Sequence, residues 1–279
     1  MRSSIPLFKC PTTLQNSGLR NSYKEKGNGE MTVAVILAAG RGLRLDPHTR
    51  QIPKPLIKIL GKPIIEHTIN TLQSVGVRDI VIVAGYLGNH IKRHLGNGER
   101  LGVKIRYCYN RCYMLGNAVS LKAAGKALQN GEPFLLLMGD HYFDKTIIER
   151  VIEKVDNQPL LCIDRNPRYP PQIKDATKVL VNKEGYIVDI GKNIPAWNAV
   201  DIGLFLLNDV IFEIVRLLEK RKPDLTITDC IKHLTLNVEP VWGCDVSDHL
   251  WFDIDTPQDV EFVESFLCEA LNCQGNGTE

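Results

Sequence analysis

Residues 33–44 read Val33-Ala-Val-Ile-Leu37-Ala38-Ala39-Gly40-Arg-Gly42-Leu-Arg44, and Pro53-Lys54-Pro55 follows soon after. An apolar run that stops abruptly at small residues and glycine predicts a buried strand, Val33 to Leu37, feeding a tight loop. Glycines let backbone N–H groups approach a polyanion, and Arg41, Arg44 and Lys54 gather fixed cations beside turn-forming prolines. Residues 37–66 thus have the makings of a phosphate-handling loop at the end of a first strand.

Outward from this loop, strand and helix patterns alternate over short connections, which predicts an α/β sheet flanked by helices. Helices are expected at 63–75, 88–95, 117–128, 145–155, 209–218, 226–236 and 257–271. Strands are expected at 79–84, 103–107, 134–138, 159–163, 200–207 and 238–242, with a hairpin over 176–190 around Asn182-Lys-Glu-Gly185. A proline-rich, charged loop is expected at 165–174.

The chain of 279 residues has 44% hydrophobic and 24% charged residues, ordinary for a soluble globular protein and enough for a sizeable core without staples. No apolar run is long enough to span a bilayer, so membrane insertion is not expected. Five Lys/Arg against two Glu in residues 1–30 account for more than the whole net charge of +2, so the remainder lacks a nucleic-acid footprint. Residues 1–30 have no sustained period and read as a disordered extension or upstream leader, in preference to an organelle transit peptide. The domain proper is then 31–271, with a flexible polar tail at 272–279. Eight scattered cysteines show no zinc spacing, Cys108 and Cys112 included, which predicts mostly buried reduced thiols and a cytoplasmic compartment.

Two familiar phosphate loops are excluded. Gly40-x-Gly42 lacks the third glycine of a dinucleotide fingerprint, and no Gly-Lys-Ser/Thr of a Walker loop is present. Ligand sites of open α/β sheets lie beyond the carboxyl ends of strands. Leu135-Leu-Leu-Met-Gly139-Asp140-His141 places a carboxylate there, and Trp251-Phe-Asp253-Ile-Asp255-Thr256-Pro257 places two more before the last helix. Two carboxylates plus substrate phosphates suffice for Mg²⁺. The competing readings are that Asp140 caps the helix near Lys145 and that Asp255 is a simple N-cap.

Ala38-Ala39-Gly40-x-Gly42-x-Arg44 with Pro53-Lys54-Pro55 strongly resembles the signature of the nucleotidylyltransferases, which join a nucleoside triphosphate to a phosphorylated metabolite. The resemblance implies a Rossmann-like, GT-A-type, mixed and mostly parallel sheet in a single domain. Within the family, the chain looks most like the cytidylyltransferases that activate inositol 1-phosphate. The matching pieces are Asn110, Gly116-Asn-Ala-Val-Ser120, Met138-Gly-Asp-His141, Ala176-Thr-Lys-Val179, Ile190-Gly-Lys192 and Asn198-Ala-Val-Asp201-Ile-Gly203.

By that resemblance, Leu37, Ala38, Ala39, Gly40, Gly42, Asn110, Gly116, Asn117 and Ser120 bind the nucleotide, CTP. Lys192 and Asp201 bind the acceptor phosphate compound. Since that phosphate is already an anionic nucleophile, His141 is read as no more than a positioning residue for it, with a packed, hydrogen-bonded histidine the preferred reading. Arg44 and Lys54 are the catalytic cations. Asp140 holds Mg²⁺, with Asp255 favoured and Asp253 second as its companion. Phosphocholine, 2-aminoethylphosphonate and sugar 1-phosphates stay open as acceptors on the same fold, and for a cationic one such as phosphocholine Tyr109, Tyr113, Trp197 and Asp201 could wall the charged group. A ligand-sensing or assembly module of the same fold is the non-catalytic alternative. The implied partners are the two small-molecule substrates and a separate CDP-alcohol phosphotransferase that uses the product; a homo-oligomer is compatible with all of this.

Overall fold

In the computed structural model, residues 33–128, 132–154, 158–168, 173 and 175–275 are described, with side chains as far as 269. The chain runs β1 (Val33–Ala38), β2 (Lys58–Ile59), β3 (Lys62–Pro63), α1 (Ile64–Ser74), β4 (Asp79–Ala84), α2 (Gly88–Leu95), β5 (Lys104–Tyr109) and α3 (Asn117–Ala124). It continues β6 (Phe134–Met138), β7 (His141–Phe143), α4 (Lys145–Ile152), β8 (Leu160–Asp164), β9 (Lys178–Val181), β10 (Ile187–Gly191), β11 (Ala199–Leu207) and α5 (Val210–Leu218). It closes with α6 (Ile227–Asn237), β12 (Trp242–Asp245), β13 (Trp251–Asp253) and α7 (Pro257–Gly275).

The main sheet is mixed. Strands β5, β4, β1 and β6 run parallel, β11 lies antiparallel to β6, and β8 joins β11 on one side and β12 on the other. Strand β9 pairs with the start of β11 and with β10. The period-2 alternation of β1 sends Ala34, Ile36 and Ala38 to one face and Val35 and Leu37 to the other. The first face packs on α1, α2 and α4 through Ile65, Ile69, Leu72, Ile91, Ile147, Ile148 and Val151. The second packs on α3, α5 and α6 through Ala118, Leu121, Ile211, Val215, Cys230 and Ile231. Strands covered on both sides must be apolar throughout, which is why β1, β4 and β6 read as continuous runs.

A third cluster lies apart. Helix α7 covers the β2–β3 hairpin through Ile59, Ile64, Phe252, Ile254, Val263 and Leu267. Phe252 sits on β13, which pairs antiparallel with β7 in a separate two-stranded ribbon. That ribbon has two working faces: Tyr142 and Phe252 join the third cluster, while Phe143 and Trp251 join the first.

The predicted α/β sheet is the one observed, and the bounds of β4, α2 and β6 match their sequence patterns. Four expectations need correction. The strand expected at 238–242 is instead Trp242–Asp245, because α6 continues to Asn237 and Val238 is 51% exposed. The closing helix extends to Gly275 rather than ending at Leu271, since no breaker intervenes, so 272–275 are helical rather than tail. Helix α3 stops at Ala124, where Gly125 follows against Phe212. Of the described cysteines only Cys162, Cys230 and Cys244 are buried, while Cys112 and Cys268 are exposed; all are free. The extension at 1–30, part of the 165–174 loop, Val155 and residues 276–279 lie outside the described residues.

Glu66, in the first turn of α1, ties that helix to the segment after β4. Its Oε1 accepts from His94 Nε2 at 2.8 Å and from Arg100. Burial would raise its pKa, but the bonds to Arg100 and His94 hold it below the ordinary 4.5. A depressed carboxyl pKa contributes stability that is present above the unfolded value and lost as pH falls through the folded one. Glu66→Gln is therefore expected to lower the urea midpoint at pH 7 and to lose this deficit as the pH drops below 4.5; an equal deficit at every pH would refute the coupling.

Candidate active site beyond strands β1 and β6

Parallel neighbours β1 and β6 put Leu37 opposite Met138, so the glycine loop and the Gly139-Asp140 turn leave the sheet side by side. Gly139 donates its N–H to Leu37 O at 2.9 Å. A Cβ on Gly139 would lie 2.7 Å from that oxygen, an approach only glycine permits. Gly42, at φ +65°, packs against Lys54, whose Cβ would lie 2.9 Å from an added Cβ. The loop thereby seats Lys54 inward, with its side chain only 6% exposed.

Three carboxylates converge on this lysine. Its Nζ lies 2.6 Å from Asp140 Oδ2, 2.5 Å from Asp255 Oδ1 and 3.9 Å from Asp253 Oδ1. Burial alone would drive the ammonium towards neutrality, but Asp140, Asp253 and Asp255 outweigh it and raise the Lys54 pKa above its ordinary value. Burial likewise opposes ionisation of Asp140 and Asp255, and Lys54 reverses that for both, with His141 assisting at Asp140. Asp253 is the exception: burial, reinforced by Asp140 and Asp255, pushes its carboxyl up to about 7.

His141 completes the cluster. Its Nδ1 is 2.9 Å from Asp140 Oδ1 and 3.7 Å from Asp253 Oδ1. Burial would lower its pKa, yet Asp253 and Asp140 raise it to about 9. The β7–β13 register makes this proximity inevitable, since His141 and Asp253 are directly opposed. Neither competing cap assignment describes these acids. Asp144 caps α4 by accepting from Thr146 N at 3.1 Å. At α7, Asp259 Oδ2 accepts from the N–H groups of Asp255 and Thr256, and Thr256 Oγ1 accepts from Asp259 N.

Asp140, His141 and Asp253 bring one donor atom each within 4.8 Å of one another. Asp253 Oδ1 is buried without a hydrogen-bond partner. An orphaned carboxylate oxygen beside further hard oxygens fits a divalent cation such as Mg²⁺. Asp255 faces Lys54 and also Arg44, whose Nη2 it contacts; Arg44 Nη1 reaches Asp175 Oδ2 at 3.0 Å.

Two clefts meet at this cluster and share Arg44 and Asp255. One, of about 490 Å³, is lined by Leu37, Ala38, Gly40, Arg41, Gly42, Lys54, Tyr113, Met114 and Asp140. The other, of about 280 Å³, is lined by Asn117, His141, Thr177, Lys192, Asp201, Gly203, Asp253 and Gln258. A bulge in β11 between Asp201 and Phe205 shapes the second. Gly203 takes φ +78° there, and its N–H donates to Asp201 Oδ1 at 2.7 Å. Burial pushes the Asp201 carboxyl up to about 6, against the Gly203 N–H and His141.

The family profile of the nucleotidyl transferases matches residues 33–269. The chain belongs to the nucleotidyl transferase family. It is 34% identical over 88% of its length to the bifunctional IPC transferase and DIPP synthase of Aquifex aeolicus, of which it covers 54%. The same-named protein of Thermococcus kodakarensis is 32% identical over 88% of this chain, with 52% of the relative covered. The chain thus spans about half the length of these relatives. The solved inositol-1-phosphate CTP transferase of T. maritima superposes with a TM-score of 0.72 at 26% identity, covering 84% of this chain and 95% of the other.

In this member of the family, not every residue of the expected set reaches either cleft. Asn110 and Ser120 are buried and bonded to each other at 3.0 Å, and Asn110 Oδ1 holds Cys112 N. Gly116 faces the backbone of Leu225, where an added Cβ would lie 1.9 Å from the carbonyl oxygen. Ala39 serves as an acceptor for Tyr86 N. Asn117 does line a cleft, but the one shared with Lys192 and Asp201. Tyr113, Met114 and Gln258 also line the clefts, and no spacing rule in the sequence points to any of the three.

The cluster predicts its own failure mode. Lys54→Met would leave three carboxylates facing one another. The expected stability loss is about 2–3 kcal/mol at pH 8, below that of a fully dry pair because Asp140 and Asp253 reach solvent. Without the lysine their pKa values rise, so the loss should shrink as the pH is lowered and the acids protonate. Urea midpoints measured between pH 5 and pH 8 check this (the range is about where raised carboxyls titrate); a pH-independent loss would contradict the assignment.

Proposed function

We propose that this chain transfers CMP from CTP to inositol 1-phosphate, releasing pyrophosphate and forming CDP-inositol. The observation that carries the reading is the junction of two clefts at Arg44 and Asp255: a glycine-loop cleft that includes Lys54 and is suited to a triphosphate, and a polar cleft holding Lys192 and Asp201. The likeness to the T. maritima inositol-1-phosphate CTP transferase over 95% of that chain supports the choice of substrates.

In this mechanism an acceptor phosphate oxygen attacks the α-phosphorus of CTP; the new P–O bond forms as the bond to the β-phosphate breaks, and pyrophosphate leaves with that electron pair. The attacking oxygen is already anionic, so no general base is required. His141 accordingly positions Asp140 and Asp253 rather than accepting a proton. Arg44 and Lys54 neutralise the charge that accumulates as two anions are brought together. Asp140, with Asp253 or Asp255, would hold Mg²⁺, which when bound supplies Lewis-acid stabilisation of the phosphates.

A cationic acceptor is less well served. Of the aromatic walls Tyr109, Tyr113 and Trp197, only Tyr113 lines either of these two clefts, and it lies on the glycine-loop side, which leaves Asp201 as the one such residue in the acceptor cleft. The non-catalytic reading has no support in a cluster that retains both loop cations and all three carboxylates. No helix among the described residues is long and apolar enough to cross a membrane. We place the reaction in the cytoplasm, with the product passing to a CDP-alcohol phosphotransferase.

The test is pyrophosphate release from CTP, UTP, ATP or dTTP with inositol 1-phosphate, phosphocholine, aminoethylphosphonate or glucose 1-phosphate. Turnover is expected with CTP and inositol 1-phosphate, and activity confined to a hexose phosphate would overturn the acceptor. Lys54→Ala should lower kcat on the order of 10²- to 10³-fold, the scale of losing one preorganised donor to the transition state.

A further inference from the structure

The ribbon formed by β7 and β13 carries His141 and Asp253, yet it belongs to neither edge of the main sheet. Something other than a backbone ladder must hold it in register with Lys54. For β7 one anchor is Thr68, whose hydroxyl donates to His141 O at 3.0 Å. For β13 it is the Trp251 indole, whose Nε1 donates to Asp164 Oδ2 at 2.9 Å.

Asp164 ends β8 and is only 3% exposed. Its other oxygen accepts from Asn166 N at 2.7 Å, so both oxygens are committed to donors on separate segments. A carboxylate makes both bonds strong, whereas an amide would offer one oxygen to two donors. The consequence reaches the site through ring contacts. The planes of Trp251 and His141 lie within 15° of each other at 6.5 Å, and Phe143 lies 5.8 Å from His141. A two-residue period puts Trp251 and Asp253 on one face of β13. Fixing the indole therefore fixes the side of the ribbon that bears the cluster.

We propose that Asp164 is a positioning residue for nucleotidyl transfer: through the Trp251 indole N–H it holds the β7–β13 ribbon, and with it His141 and Asp253, in place against the main sheet. The proposal rests on nucleotidyl transfer at this site and not on the identity of the acceptor.

Asp164→Asn, Trp251→Phe and the double variant form the test. Trp251→Phe keeps an aromatic ring while removing the donor and part of the buried indole, so where Asp164→Asn fails to fold its effect is read on kcat and on the His141 resonances rather than on Tm. Each single change should lower kcat for pyrophosphate release about 10-fold or more, with nucleotide KM nearly unchanged. The double variant should be no worse than the poorer single, because both remove one interaction. Independently of turnover, the His141 imidazole proton resonances, identified by their loss in His141→Gln, should shift in both single variants. Multiplying penalties, unshifted His141 resonances, or a lowered Tm with kcat retained would each overturn the proposal. A wild-type protein without turnover would refute the functional reading, while the resonance shift would still decide this one.

Discussion

One ammonium group among three carboxylates is the constraint on which the remainder of this structure depends. Lys54 pairs with Asp140 and Asp255, 86 and 201 residues further along the chain. A buried charge is tolerated only when its partners are in place, and losing one partner leaves an uncompensated ion. The glycine loop, the turn after β6 and the segment before α7 must therefore close on the same point. The two strongly apolar faces of the sheet hold the first two in parallel register, and the third arrives on a ribbon packed under α7.

The electrostatics of that point divide labour among residues of the same type. Asp140 and Asp255 are stabilised as anions by Lys54, whereas Asp253 is pushed up to about 7 by burial and by its acidic neighbours. The least compensated carboxyl is also the one with an unpartnered oxygen, which makes Asp253 the group with most to gain from a divalent cation. Arg44 stands differently: its side chain is 53% exposed and reaches across both clefts. A buried cation that organises acids and an exposed one, paired with Asp175 and Asp255 at the mouth of both clefts, are complementary parts of a site for anionic substrates.

The glycines follow the same logic where backbone meets backbone. Gly139 permits contact with Leu37 O, Gly42 seats Lys54, and Gly203, at the bulge of β11, lets that strand approach the His141 ring. Gly116 is another matter, since it lets α3 start against Leu225 and so places Asn117 at the second cleft. Resemblance alone groups Gly116 with Asn110 and Ser120 near the nucleotide. Packing separates them: Asn110 and Ser120 satisfy each other inside the protein, as buried polar groups must.

By itself the sequence determined the α/β order, the apolar runs of β1, β4 and β6, the loop cations and the three acids, because local hydrophobic period and glycine placement are properties of short segments. It misplaced β12, whose Trp242-Gly-Cys-Asp245 run has little strand character and exists because β8 offers a parallel partner. It also passed over the three-residue strands β7 and β13, too short for any period to show. Only the tertiary structure decided that these two pair, that His141 thereby faces Asp253, and that Lys54 rather than a helix terminus meets Asp140 and Asp255. Contacts between residues about a hundred positions or more apart depend on how separate cores pack, and no window of sequence contains that information.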